Sequence, residues 1–233
     1  MPNIFDWKRF AQQPLVGILR GFTCAEALSA VRAAADGELT TFEVTLNTAG
    51  AAEQIKALAS ELGERVNLGA GTVCSVDDVQ LALASGATFI VTPVVEASVI
   101  EACQQANVPA FVGALTPTEI FQAWRLGATM VKVFPADAFG PTYLNSVRGP
   151  LGQVPLMPTG GVTVESLADY HRAGASAFGI GGPLFDKRRI AAGDWAWVET
   201  QARRFAAAFE ASTAAIGPDA VARRTQLAAR SGE

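Results

Sequence analysis

Short apolar runs alternate with alanine-rich amphipathic stretches along most of the chain. The apolar runs are rich in β-branched residues, which is typical of buried strands, whereas the alanine-rich stretches have the wider spacing of helices. This alternation predicts βα units that feed a parallel sheet. We predict strands at Leu15–Arg20, Thr40–Leu46, Val66–Val73, Thr88–Pro93, Ala110–Leu115, Met130–Phe134, Val154–Thr159 and Ala177–Gly181.

Helices are predicted between these strands. Thr23 and Glu26 form a capping-box pattern before the first of them, and Ser75 precedes an acidic first turn. The helical segments are Cys24–Asp36, Ala51–Leu62, Val76–Ser85, Ala97–Asn107, Pro117–Leu126, Thr142–Arg148 and Val164–Ala173. Eight such units predict a (β/α)₈ barrel, which typically takes about 250 residues. An open doubly wound sheet is the competing α/β architecture, but the first turn, Leu19–Thr23, lacks GxGxxG.

One domain accounts for most of the chain. We assign residues 1–212 to the barrel with an N-terminal helix, and Asp194–Ser212 to an amphipathic helix that closes it. Residues 213–233 are rich in alanine, arginine and polar residues and show no strong apolar stripe. We therefore expect a C-terminal tail that is either a loosely held helix or disordered.

Composition narrows the class of partner. The 233 residues carry a formal net charge of -4 and no dense run of lysine and arginine, so no footprint for nucleic acid is present. The N-terminal residues lack the apolar stretch of a signal peptide or membrane span, which makes the cytoplasm the expected location. His171 is the single histidine, and no ligand spacing supports a metal site. Small-molecule chemistry without a metal or cofactor is expected.

Lys132 is the unusual residue of the sixth predicted strand. A strand buried on both faces should be almost continuously hydrophobic, so a cation inside it is costly without a purpose. Burial disfavours the charged form and lowers a lysine pKa, and a neutral amine can attack a ketone to form a Schiff base. Alternatively, the stem is buried and the nitrogen reaches water. This segment alone leaves both interpretations open.

Glu43 lies in the second predicted strand. Period-2 alternation places Glu43, Thr45 and Asn47 on one face, and the apolar residues between them suit the helix layer. Glu43 should therefore point into the barrel. Beside Lys132 it could form a structural ion pair, or it could carry the protons that Schiff-base chemistry moves.

Barrel enzymes collect their chemistry where strands end and βα loops begin. Arg20 follows the first strand, where a guanidinium binds a carboxylate or phosphate, or forms a surface salt bridge. Thr72 offers a hydroxyl near the end of the third strand, and Pro93 ends the fourth. Glycine pairs follow the seventh and eighth strands, in Thr159-Gly160-Gly161 and in Gly181-Gly182. Phosphate is frequently bound at this place, so an anionic tail on the ligand is expected.

Six motifs in order resemble one known family. From about Pro14 to Phe185 the chain contains Gly-Ile-Leu-Arg-Gly, Glu-Val-Thr-Leu, Gly-Ala-Gly-Thr-Val, Ile-Val-Thr-Pro, Lys-Val-Phe-Pro-Ala and Pro-Thr-Gly-Gly-Val. It is similar to the 2-keto-3-deoxy-6-phosphogluconate and 2-keto-3-deoxy-6-phosphogalactonate aldolase family. The resemblance implies a homotrimeric class I aldolase of Entner–Doudoroff-type carbohydrate metabolism, with Lys132 as the Schiff-base lysine and Glu43 as the acid/base.

The same resemblance implies the reaction. A 2-keto-3-deoxy-6-phospho sugar acid would be cleaved to pyruvate and glyceraldehyde 3-phosphate. Arg20 and Thr72 would hold the pyruvate carboxylate or neighbouring oxygens, and Pro93 would shape the pocket wall. The glycine pairs would receive the tail through main-chain amides.

Departures from the family pattern bear on the substrate. Asn47 stands where gluconate-type members usually have arginine, and Phe139-Gly140-Pro141 also resembles the galactonate branch. Pro183 stands where relatives commonly have serine, and proline has neither an N–H nor a hydroxyl. A terminal sulfonate is therefore the alternative to phosphate. A non-catalytic phosphosugar-binding barrel and an isomerase or epimerase are the rival functions.

Overall fold

The computed structural model describes residues 4–229, and its centre is a single parallel sheet. The strands are β1 Leu15–Leu19, β2 Thr41–Thr45, β3 Asn67–Gly71, β4 Phe89–Val91, β5 Ala110–Ala114, β6 Met130–Val133, β7 Leu156–Pro158 and β8 Phe178–Ile180. From β1 to β7 each strand pairs in parallel with the next along the chain, and β1 also pairs with β8. A bridge between Thr159 and Gly179 joins the ends of β7 and β8. The sheet thus forms the (β/α)₈ barrel that the sequence predicted.

Helices alternate with the strands and form the outer layer. They are α1 Trp7–Gln12, α2 Cys24–Asp36, α3 Ala51–Leu62, α4 Val76–Ala84, α5 Ala97–Gln105, α6 Pro117–Arg125, α7 Gly140–Arg148, α8 Val164–Arg172, α9 Lys187–Ala191, α10 Trp195–Ile216 and α11 Pro218–Ala229. The predicted helices between strands are all present. The sequence pattern missed α9 and a 3₁₀ turn at Ala136–Ala138, because both are too short to show a helical period.

Polar caps decide where several helices start. The capping box predicted before α2 is present, with Thr23 accepting from the Glu26 N–H and Glu26 accepting from the Thr23 N–H. Ser75 and Asp78 form the same arrangement before α4. Each box satisfies amide groups that the first turn leaves without partners, so the loops above the barrel turn into helices at defined positions.

The lower half of the barrel interior is filled with large apolar side chains. Phe89, Phe111, Met130 and Met157 belong to one buried cluster, and Phe5 lies against Phe89 with ring centroids 5.3 Å apart. This cluster forms an apolar floor beneath the upper half of the barrel. Side chains two residues further along the same strands face the same way and lie above the floor.

The C-terminal region covers the bottom of the barrel. The expected boundary at residue 212 falls inside α10, and α11 packs against α1. Leu227 of α11 is 2% exposed and joins the floor cluster with Phe5 and Phe10. Residues 1–3 and 230–233, which we had assigned to the ends of the barrel domain and the tail, lie outside the described residues. No helix within 4–229 is both long and apolar enough to cross a membrane.

Candidate active site

The polar site residues lie in the upper half of the barrel interior, because alternate residues of a strand face the same side. Lys132 follows Met130 by two positions on β6, and Thr159 follows Met157 beyond β7. Glu43 lies on β2, and β2 and β6 are four strands apart in a ring of eight. Glu43 and Lys132 therefore extend toward each other from opposite walls of the barrel.

Lys132 is almost completely withdrawn from water. Its side chain is 4% exposed, and its Nζ lies 5.2 Å from the centroid of the Phe134 ring. Burial lowers the pKa of Lys132 from its ordinary value, the charge of Glu43 counteracts part of that shift, and Arg20 lowers it further. The neutral amine that a carbonyl addition requires is thus favoured. The snorkelling interpretation does not fit a lysine this deeply buried.

Glu43 is a buried carboxylate, 1% exposed, and neither of its oxygens has a hydrogen-bond partner among the described residues. Burial raises the pKa of Glu43, while Lys132 and Arg20 act in the opposite direction. A buried carboxyl group without fixed partners can take up and release a proton, whereas a structural ion pair would be held by hydrogen bonds.

Gly71 makes room for that carboxylate. A Cβ at this position would lie 2.6 Å from Oε1 of Glu43 and 2.9 Å from its Cδ. Real Cβ atoms do not approach other atoms so closely, so only glycine permits Glu43 to occupy its position. The glycine at the end of β3, which turn geometry alone could have explained, is a packing partner of the carboxylate.

A cavity of about 250 Å³ opens above Lys132. Arg20, Lys132, Thr159 and the two glycine pairs predicted from the sequence line it, so the tertiary fold brings together strand ends from four strands. The remaining lining residues were not predicted as site residues; they are Ile18, Phe134, Val162, Gly179 and Pro183. Ile18 and Phe134 could have been found from their period-2 relation to Arg20 and Lys132.

One wall of the cavity is suited to an anion. Gly160 and Gly161 have φ values of +94° and +70°, which an L side chain rarely adopts, and Gly161 packs directly against Asp137. Around Gly181 and Gly182 an added Cβ would meet no atom within 4 Å. Backbone amides in such open glycine turns are accessible to a phosphate-like group. Pro183, which is exposed, offers no amide proton there.

Four predicted site residues do not line this cavity. Thr72 is joined to it through Arg20, whose Nη2 donates to the Thr72 hydroxyl over 3.4 Å. Glu43 is buried and does not reach the cavity surface, and Pro93 is half-buried beside Gly113 of β5. Asn47 is exposed in the loop after β2. Contact of Asn47 and Pro93 with a ligand therefore depends on how far the ligand extends beyond the cavity.

His171 is a packing residue of the helix layer. His171 is buried, its Nδ1 lies 2.6 Å from the Ser212 hydroxyl, and its ring stacks on Phe209. It thus packs between α8 and α10, away from the cavity. Among residues 4–229 no group of three or more histidine, cysteine, aspartate and glutamate side chains is arranged to hold a metal ion.

The structure thus places a buried lysine opposite a buried carboxylate inside a (β/α)₈ barrel. Comparison with known proteins identifies the family: residues 8–201 match the model of the KDPG and KHG aldolases. The chain belongs to this family, so it is an aldolase, a lyase that acts on carbon–carbon bonds.

Relatives on both branches of the family are similar to this chain. The 2-dehydro-3-deoxy-6-phosphogalactonate aldolase of Escherichia coli (strain K12) is 35% identical over 173 residues, which cover 74% of this chain and 84% of that protein. The 2-dehydro-3-deoxy-phosphogluconate aldolase of Treponema pallidum (strain Nichols) is 37% identical over 175 residues, covering 74% and 82%. A solved "Native KDPGal structure" has a TM-score of 0.81 at 32% identity and covers 86% of this chain and 96% of its own.

Proposed function

We propose that the protein is a class I pyruvate aldolase in which Lys132 forms a Schiff base with a 2-keto-3-deoxy sugar acid. The observation that carries this proposal is the pair of buried, opposed side chains, Lys132 on β6 and Glu43 on β2. Burial favours the neutral amine and the protonated carboxyl group, which are the forms that carbonyl addition and dehydration use.

The proposed reaction begins with attack of the Lys132 amine on the C2 ketone. Glu43, directly or through a water molecule, protonates the carbinolamine hydroxyl, which leaves as water and gives the imine. The resulting carboxylate takes the proton of the C4 hydroxyl, and the C3–C4 bond breaks. Its electron pair moves into the imine to form an enamine, and C4 becomes the aldehyde of the first product. Protonation at C3 and hydrolysis release pyruvate and restore the lysine.

The positions of the remaining site residues support a binding role for each. Arg20 lies where the pyruvate carboxylate, or an oxygen next to it, approaches Lys132, and Thr72 supports its guanidinium. Thr159 and the glycine pairs line the same cavity and are assigned to the terminal anion. Asn47 and Pro93 are assigned to the outer part of the site, beside the loops after β2 and β4.

The favoured substrate is 2-keto-3-deoxy-6-phosphogalactonate, which gives pyruvate and glyceraldehyde 3-phosphate. Asn47 and Phe139-Gly140-Pro141 support this choice over the gluconate epimer. A 6-sulfo substrate, which would give sulfolactaldehyde, is the alternative, because Pro183 removes one donor from the wall that receives the tail.

We further propose a homotrimer and a place in Entner–Doudoroff-type sugar acid breakdown, both from the family resemblance.

Trapping with borohydride tests the lysine. The protein is incubated with pyruvate, reduced with borohydride, digested and mapped by peptide mass. We expect a reduced adduct on Lys132, its loss in Lys132→Met, and its retention in Lys56→Met, which alters an exposed lysine of α3. Folded protein that gives no adduct at Lys132 would refute the imine mechanism and favour a non-catalytic barrel or an isomerase, neither of which needs the imine.

Two kinetic measurements test the role of Glu43 and the choice of substrate. Glu43→Gln should lower turnover by roughly 10²–10⁴-fold, the usual contribution of a general acid/base. Turnover of that variant within threefold of the parent would remove Glu43 from the mechanism. Comparison of kcat/KM on the gluconate, galactonate and 6-sulfo substrates identifies the branch, and a higher value on the gluconate or sulfo compound would overturn the galactonate choice.

A further inference from the structure

The two threonines after Glu43, Thr45 and Thr48, are buried next to the turn that carries Arg20. They are 0% and 7% exposed. The N–H of Gly21 donates to the Thr48 hydroxyl over 2.9 Å, the hydroxyl oxygens of Thr48 and Thr45 are 3.1 Å apart, and the Thr45 hydroxyl donates to the Leu19 carbonyl over 3.3 Å. These contacts form a continuous chain between the two peptide groups that flank Arg20.

The chain of hydrogen bonds has one direction. The Leu19 carbonyl only accepts, and the Gly21 N–H only donates. The Thr45 proton is therefore used on Leu19, so the Thr48 proton is used on Thr45. Each hydroxyl donates once and accepts once. A buried pair satisfied in this way holds one geometry, because moving either end leaves a buried polar group without a partner.

Strand pairing stops where this chain of bonds begins. The register of β1 with β2 runs through Ile18 with Glu43 and Leu19 with Val44, and Gly21 has a left-handed φ of +77°. Beyond that point the sheet no longer determines the backbone path. Thr45 and Thr48 continue the connection, so the turn bearing Arg20 is tied to the strand bearing Glu43.

The Arg20 side chain itself is weakly held. Arg20 is exposed, and the hydrogen bond that its guanidinium makes within residues 4–229 is the 3.4 Å contact to Thr72. Its position over the cavity therefore depends on the backbone on either side of it. We propose that Thr45 and Thr48 are positioning residues that hold the Arg20 guanidinium where it binds the oxyanion of the keto acid. This inference rests on the binding role proposed above for Arg20.

The test is a double-mutant cycle of Thr48 and Arg20, in which KM is measured for 2-keto-3-deoxy-6-phosphogalactonate. Thr48→Val keeps the shape of the side chain and breaks the chain of bonds, and we expect KM to rise roughly tenfold with a smaller change in kcat. Misplacement of a binding group by about 1 Å can cost up to 10²-fold. Thr48→Ser, which keeps the hydroxyl, should restore the parent KM. In an Arg20→Met background, Thr48→Val should change KM less than twofold, because the residue it positions is gone.

Thr88→Val is the matched control. Thr88 is 5% exposed, and its hydroxyl donates to the Leu68 carbonyl over 3.0 Å at the bottom of the barrel. Thr88→Val should lower Tm in thermal unfolding about as much as Thr48→Val does. Its KM should stay at the parent value. If Thr48→Val does not fold, Thr45→Val breaks the same chain at Leu19 and replaces it in the cycle.

The outcomes separate this inference from the proposed function. An unchanged KM in Arg20→Met would remove Arg20 from substrate binding and refute both the binding role and the inference. A raised KM in Arg20→Met with a parent KM in Thr48→Val refutes the positioning role alone. Equal effects of Thr48→Val in the two backgrounds would show that Thr48 acts on stability and not through Arg20.

Discussion

Adding one methyl group at Gly71 should displace the Glu43 carboxylate without removing it. The new Cβ would lie 2.6 Å from Oε1, about 0.8 Å short of the 3.4 Å at which ordinary contact begins, and 3.3 Å from Cγ2 of Thr45. The carboxylate has to move by a comparable distance, since β3 is buried and cannot shift outward. A displacement near 1 Å corresponds to a loss of about 10²-fold in turnover.

The cost in stability should be moderate. Inserting a methyl group into a packed interior typically costs about 1–3 kcal/mol, and 1 kcal/mol corresponds to roughly 2–4 °C in Tm for a domain of this size. Turnover of Gly71→Ala is measured by coupling pyruvate release to a dehydrogenase, and Tm by calorimetry. Borohydride trapping on the same samples reports whether Lys132 still forms the imine.

Gly149→Ala provides the control for this substitution. Gly149 follows α7 with right-handed helical angles, and an added Cβ would meet the Ser146 carbonyl at 3.4 Å, an ordinary contact. It should keep parent turnover and lose no stability, because alanine restricts the unfolded chain more than glycine does. A Gly71→Ala protein with parent turnover and parent Tm would refute the close packing of Gly71 against Glu43.

Three further predictions concern the charges of the site and the floor of the barrel. Glu43→Gln removes a charge that raises the Lys132 pKa, so the pH dependence of pyruvate adduct formation should move to lower pH; an upward shift would contradict it. Arg20→Met removes a charge that lowers the Lys132 pKa, so the same profile should move to higher pH, and an unchanged profile would show that Arg20 does not act on the lysine. Leu227→Ala, at a position 2% exposed, should cost about 2–5 kcal/mol in urea unfolding and leave kcat/KM unchanged; parent stability would mean that α11 does not hold the floor.

Local sequence pattern was sufficient for the elements and for part of the site. Alternation and β-branched composition are properties of neighbouring residues, so the strands were predicted at the right places, with the observed ones one to three residues shorter. All eight strands end before the predicted residue, because the chain leaves the sheet at the C-terminal ends of the strands to form the loops around the cavity. Lys132 was conspicuous for the same local reason, since a cation in an apolar strand breaks the pattern.

The sequence by itself determined that the chain makes eight βα units, that a lysine lies in the apolar sixth strand and that glycine turns follow the seventh and eighth. Only the tertiary structure decided that Lys132 is buried, that Glu43 faces it without a hydrogen-bond partner among residues 4–229, and that Gly71 makes room for Glu43. It also decided that Asn47 and Pro93 stay outside the cavity. It also decided that Thr45 and Thr48 tie down the Arg20 turn. These relations depend on how the closed sheet brings distant strands together, and periodicity along one strand carries no information about the strand on the opposite wall.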